Sequence, residues 1–238
     1  MSKSSFIEGL KAGIPIALGY FFVSTGFGIT AVNSGLSVFQ SVLISASCVT
    51  SAGQVAGLRI ITGSNAFFTS AFEMVLTQFV INLRYSLMGI SLSQKTDDSF
   101  DIKRRMLCSY SITDEIFALA STRSGLISVP FFLGLSILPI VGWTLGTATG
   151  ALVSSNIPIE LSAVFGIAIY GMFLSIFVPP AKKDKGTLLC VLTAGLISCL
   201  IYYCPILKFI SSGFSIIVSS VIASIITSLI YPHSETNV

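Results

Sequence analysis

From Ile14 to Tyr231 one apolar run follows another with few charges between them, and that continuity constrains the fold more than any other feature. The runs lie at about Ile14–Val32, Val38–Ile61, Asn65–Ser93, Pro130–Val153, Leu161–Val178, Thr187–Tyr203 and Ile206–Tyr231. Only 10% of the 238 residues are charged while 53% are hydrophobic, too few charges to cover a soluble surface of this size. A mean hydropathy of +0.90 agrees. The chain reads as a multi-pass integral membrane protein, with no sizeable soluble domain. At roughly 20 residues per crossing it has room for about seven or eight membrane segments. The expected fold is an all-α polytopic helix bundle, one membrane domain over 1–238, with room for broken or re-entrant helices.

Several function classes fall away. The net charge of +3 is small and its basic residues are scattered, which argues against nucleic acid. The five cysteines, Cys48, Cys108, Cys190, Cys199 and Cys204, lack CxxC spacing, so neither a disulfide framework nor a metal site is indicated. The lone His233 lies in the polar tail, and no Walker loop or dinucleotide fingerprint is present. No cofactor and no enzymatic activity are expected. Lys3 and Lys11 precede the first apolar run, which is too long for a signal-peptide core and is expected to be the first span.

Against this background the polar groups inside apolar runs need a reason, because an ionised side chain at the bilayer centre costs about 2.5 to 3.5 kcal/mol on insertion scales. They gather in two stretches, Gln78 to Tyr85 and Thr113-Asp114-Glu115. On a continuous helix Gln78, Asn82 and Tyr85 share one face, and Glu73, Thr77 and Arg84 another. Glu73 and Arg84 would then stand roughly 16 Å apart at 1.5 Å per residue, too far for a direct ion pair. Arg84 is suited to holding a carboxylate, of a substrate or of Asp114 or Glu115; snorkelling to the headgroups is the other reading. Thr113 or Asp114 could cap a helix beginning at Glu115, and a carboxylate there could instead meet a substrate ammonium or carry a proton. In the second run Ser51, Gly53 and Gln54 lower helix propensity, which suits either a local break or hydrogen bonds between helices. Gly142, Gly146 and Gly150 recur every four residues, a ridge on which another helix or a partner subunit should pack.

Orientation raises a conflict. The amino terminus, the charged Gln94–Arg105 loop and the Lys182 loop should all prefer the cytoplasm. Seven simple crossings cannot satisfy all three. The conflict disappears if Asn65–Ser93, Met106–Ser121 or both contain half-helices that enter and leave on one side. Such discontinuous elements are where many transporters bind substrate.

Four motifs carry a family resemblance: Glu8-Gly9-Leu10-Lys11-Ala12-Gly13-Ile14-Pro15, Ser51-Ala52-Gly53-Gln54, Asn82-Leu83-Arg84-Tyr85-Ser86-Leu87-Met88 and Thr113-Asp114-Glu115-Ile116-Phe117-Ala118-Leu119. In order and spacing the chain resembles the AzlC family, the larger subunits of bacterial branched-chain amino-acid exporters. The resemblance implies a secondary transporter of the bacterial inner membrane that exports leucine, isoleucine, valine and similar amino acids with a small AzlD-like membrane subunit. Gln54, Asn82, Arg84, Asp114 and Glu115 are then the expected substrate-binding residues, and Glu73, Asp114 and Glu115 the available proton carriers. The alternatives are a channel of other specificity, or a scaffold subunit that supports a transporting partner.

Overall fold

The computed structural model describes residues 3–63, 67–156, 171, 174, 178–207, 210 and 212–231. Its described elements are helical: α1 Lys3–Asn33, α2 Val38–Ser47, α3 Ser51–Gly63, α4 Phe67–Ser93, α5 Ile102–Ser109, α6 Asp114–Thr122, α7 Val129–Val153, α8 Lys185–Tyr203 and α9 Ser212–Ile230. Among the described residues four helices are long and apolar enough to cross a membrane: Ser4–Asn33, Ser70–Ser93, Val129–Val153 and Lys185–Tyr203. Shorter apolar helices, α2 and Phe214–Ile230, accompany them. Exposed apolar side chains run down one side of α4, Phe68, Phe72, Val75, Phe79, Leu83, Leu87 and Ile90. Leu188, Leu192, Leu196 and Leu200 do the same on α8. Uncharged stripes of this kind face lipid. The chain is a polytopic membrane helix protein.

It folds as two compact units interleaved in sequence, residues 1–58 with 81–170, and residues 59–80 with 171–238. In the first unit α1 and α7 form the central pair, and glycine decides their contact. A Cβ on Gly142 would strike the Ala17 carbonyl, one on Gly146 the Phe21 carbonyl and Ser24 Oγ, and one on Gly150 the Thr25 carbonyl. Gly9, Gly13 and Gly28 of α1 meet the α7 backbone in the same way. Residue numbers rise together along both helices, so the two run parallel at close backbone approach. In lipid that contact rests on van der Waals packing, which small residues permit. The Gly142 ridge is thus filled by α1 of the same chain.

Cross-links fix which ends lie together. Arg123 NH2 lies 2.9 Å from Glu8 Oε2, and the Ser5 and Ser128 hydroxyls are 3.1 Å apart. Lys95 Nζ donates to the carbonyls of Ser121 (2.6 Å) and Arg123 (2.5 Å), and Lys95 and Asp97 pair with Ile127 through their backbones. The start of α1, the end of α4, the end of α6 and the start of α7 therefore share one end of the unit. Because α5 leaves that end and α6 returns to it, the two helices form a half-crossing hairpin. Their 8 and 9 residues are about 12 to 14 Å long, close to half a ~30 Å hydrocarbon core.

The second apolar run is also broken. Gly35, at φ +97° where a side chain would be strained, turns the chain after α1, and Ser37 and Gln40 cap α2 reciprocally. Cys48 is extended and ends α2, and α3 begins at Ser51. A straight continuation would separate residues 44 and 54 by about 15 Å. Instead Gln54 Nε2 reaches the carbonyls of Ile44 (3.4 Å) and Cys48, so α3 folds back along α2. Packing of α2 on α7, with Ser45 Oγ 2.7 Å from Thr147 Oγ1, sets this hairpin at the opposite end from α5 and α6.

The structure adjusts several expected boundaries. Asn65–Ser93 contains no half-helix in its described part, since α4 is unbroken from Phe67 to Ser93; the breaks fall in Val38–Ile61 and Met106–Ser121. The charged stretch Gln94–Arg105 is only partly loop: Asp101 accepts from Arg104 N at 2.8 Å and caps α5, putting Lys103, Arg104 and Arg105 on its first turn. Residues 178–183 are helical, and Asp184 interrupts the Lys182 segment by capping α8 at Thr187 N. A single turn at Pro205–Leu207 precedes the last helix, which starts at Ser212 instead of Ile206. The expected Leu161–Val178 span lies almost wholly outside the described residues.

Candidate functional site

The site forms where the tips of the two hairpins meet α4 and α1, all within the first unit. Thr113 is extended and accepts from Ile116 N at 3.4 Å, capping α6. With the cap at Thr113, Asp114 and Glu115 become the first two helical residues. Consecutive helical residues point about 100° apart, so their carboxylates diverge. Both also sit where the helix dipole favours negative charge.

Asp114 turns to α4. Its Oδ2 lies 3.1 Å from Arg84 NH2, with the aspartate side chain 17% exposed and the arginine 36%. The same NH2 donates to Tyr85 OH at 2.9 Å, and the guanidinium sits 4.8 Å above the Tyr85 ring. Arg84 Nε is buried and without a hydrogen-bond partner. The planar fork is therefore engaged through one nitrogen, and a buried donor is left unsatisfied. An orphaned buried donor costs on the order of 1–3 kcal/mol, which an arriving acceptor would recover.

Glu115 turns to α1. Tyr20 OH lies 2.5 Å from Glu115 Oε2 and 2.7 Å from Thr113 Oγ1. A phenol has one proton, so while Glu115 accepts it the Thr113 hydroxyl donates to the phenol oxygen. Tyr20, 5% exposed, packs edge-on against Trp143 of α7 at 5.2 Å. Trp143 Nε1 is another buried donor without a partner.

The α2–α3 tip joins the same group. Thr50 Oγ1 donates to Asn82 Oδ1 at 3.0 Å, and Tyr110 OH at the α5–α6 tip donates to the Ala46 carbonyl. Gln54, 3% exposed, uses its amide nitrogen on the Ile44 and Cys48 carbonyls at the end of α2, while its Oε1 lies 3.4 Å from Ser45 Oγ. It holds the break together. Of the expected residues, Asn82, Arg84, Asp114, Glu115 and Gln54 all belong to this unit, at or one turn from the tips. Glu73 is buried on the amino-terminal half of α4, in the other unit. Tyr20, Thr50, Tyr110 and Trp143 were missed by sequence reasoning; the signal available for Tyr20 was a single tyrosine midway along the first apolar run. Among the described residues no group of three or more His, Cys, Asp and Glu side chains could hold a metal.

The AzlC protein family model matches residues 15–157, more than half of the chain, from Pro15 in α1 through the end of α7. The inner membrane protein YgaZ of Escherichia coli K12 is 28% identical over 206 residues, covering 83% of this chain and 81% of that protein. An uncharacterized membrane protein of Archaeoglobus fulgidus is 26% identical over 185 residues, covering 76% and 79%. The branched-chain amino acid transport protein AzlC of Bacillus subtilis 168 is 21% identical over 185 residues, covering 76% and 70%. No solved structure matches the chain significantly. The chain is a membrane protein of the AzlC family.

Proposed function

We propose that the chain is the large subunit of a two-component secondary transporter that exports branched-chain and similar hydrophobic amino acids. Residues 1–238 act as one transporter domain beside a small AzlD-like membrane subunit. The supporting observation is the Arg84–Asp114 pair: an arginine with an unsatisfied buried donor, held against one carboxylate whose neighbour in sequence is a second, between largely apolar helices. A zwitterionic amino acid carries the complement of that pair. Its carboxylate engages Arg84 and takes up the orphaned Nε, and its ammonium takes Asp114 or Glu115. Asn82 contributes its side-chain amide, and Gln54 acts through the backbone it holds at the break. An amino acid held between Arg84 and Asp114 would open the ion pair that joins them.

Discontinuous helices suit alternating access, because a tip can shift without unfolding a whole span. Here the two tips touch through Tyr110 and Ala46, and separating them would change which face of the membrane reaches the site. Glu73, Asp114 and Glu115 are the carboxylates available for proton coupling. Vesicles bearing this chain, with and without the small subunit, test the reading through uptake and release of labelled leucine, valine and lysine. Saturable, gradient-driven counterflow of leucine and valine but not lysine is the expected result. Ohmic conductance, or equal handling of lysine, overturns it.

A further inference from the structure

Beside the hairpin tips a cavity of about 330 Å³ opens between α4, α5 and the start of α7. That volume is at the low end of small-molecule sites, about 300 to 1,000 Å³, so it fits a group of amino-acid size and not a peptide. Its walls are mostly apolar, with Leu92, Cys108, Ile112 and Phe132 among them, and Arg105 and Thr96 stand at the end where the charged segment lies. Along α4 the residues Asn82, Ser86, Gly89 and Ser93 follow the spacing of a single helical face. Asn82 touches the α2–α3 tip, and the other three line the cavity. Ile112 forms its wall only two residues before Asp114. The apolar space thus lies beyond Asn82 along one face of α4, toward the end shared by the starts of α1 and α7, with Ile112 joining its wall to the segment that carries Asp114.

Accepting the transport reading above, we infer that this cavity is the subsite for the substrate's aliphatic side chain, with Gly89 and Ile112 setting the size it accepts. An amino acid whose charged groups lie between Arg84 and Asp114 then has a dry wall for its branched end. Gly89 is the determinant because it leaves room: a Cβ there meets only Ile112 Cδ1, at 3.7 Å, an ordinary contact. Alanine at this position therefore fits without displacing backbone, and a longer side chain projects into the cavity. Trimming Ile112 enlarges the same space.

The experiment is counterflow in vesicles containing the chain and its small subunit, with alanine, valine, leucine and phenylalanine as labelled substrates. One methylene in an apolar pocket discriminates by about tenfold or more. For Gly89→Leu the leucine-to-alanine rate ratio is expected to fall by about that factor, with Gly89→Ala intermediate. For Ile112→Ala the phenylalanine-to-leucine ratio is expected to rise comparably. Ratios do not depend on how much protein inserts, and the two variants change the cavity in opposite senses. Unchanged ratios in both, with intact wild-type leucine transport, overturn the subsite alone and leave a lipid chain or simple packing as the cavity's occupant. Absence of wild-type leucine transport overturns the transport reading itself.

Discussion

Arg84 NH2 and Asp114 Oδ2 lie 3.1 Å apart, joining the middle of a continuous helix to the first residue of a half-helix. The pair turns Arg84 toward Asp114 and Tyr85. It also makes each partner indispensable to the other. Arg84→Ala and Asp114→Asn should each lower leucine export by about tenfold or more while inserting normally, since either leaves a buried group without its partner. The charge exchange Arg84→Asp with Asp114→Arg should recover thermal stability but not export. The fork would then point from the wrong helix. Vesicle export and detergent melting curves read the two outcomes, and export unaffected by both single variants removes the pair from the site.

Tyr20 links Glu115 and Thr113 to Trp143, the chain's single tryptophan. Substrate that competes for Glu115 should shift the phenol and with it the indole's surroundings. Leucine should therefore change the intrinsic fluorescence of the purified protein saturably, and lysine should not. Tyr20→Phe removes the hydroxyl from both partners, costing about 1–3 kcal/mol for the groups left unpaired, and should abolish the leucine response. A full response in Tyr20→Phe would detach this chain of contacts from binding.

Backbone contact between α1 and α7 leaves no room for side chains. Gly150→Leu should destabilise the protein by about 1–3 kcal/mol or prevent its insertion, as overpacking does. Gly19→Leu, where an added Cβ meets nothing within 4 Å, should be tolerated. Equal yields and melting temperatures for the two would contradict the parallel close-packed pair.

Gln54 Nε2 bonds the carbonyls of Ile44 and Cys48 where α2 stops. Gln54→Leu would leave the Cys48 carbonyl without its donor, at a cost of about 1–3 kcal/mol, while the Ile44 carbonyl keeps its bond from Cys48 N. Faster amide exchange localised to residues 44–54 is the expected readout, with export reduced in proportion. Exchange unchanged in that segment would mean that the break holds without Gln54.

Much of this was legible in the chain. Composition alone required a membrane, because apolar runs of this length cannot be covered by so few charges. The polar stretches announced themselves by their cost in lipid, and the orientation conflict called for a segment that turns back within the bilayer. Both signals are local or additive, so they survive without coordinates. The motifs around Gln54, Asn82, Arg84, Asp114 and Glu115 also identified the family.

Pairing was a different matter. Sequence offered Arg84 several carboxylates and left the Gly142 ridge open to a partner subunit; the fold assigned Asp114 to the first and α1 to the second. It likewise left the described part of Asn65–Ser93 unbroken and chose the break over interhelical bonding in Val38–Ile61, where Gln54 bonds the Cys48 carbonyl. Tyr20 and Trp143 came into view only when α1 and α7 were laid side by side. Hydropathy and local spacing report the solvent around a segment and the face a residue occupies, whereas ion pairs and backbone contacts depend on which distant helices meet, and only three-dimensional packing selects among those meetings.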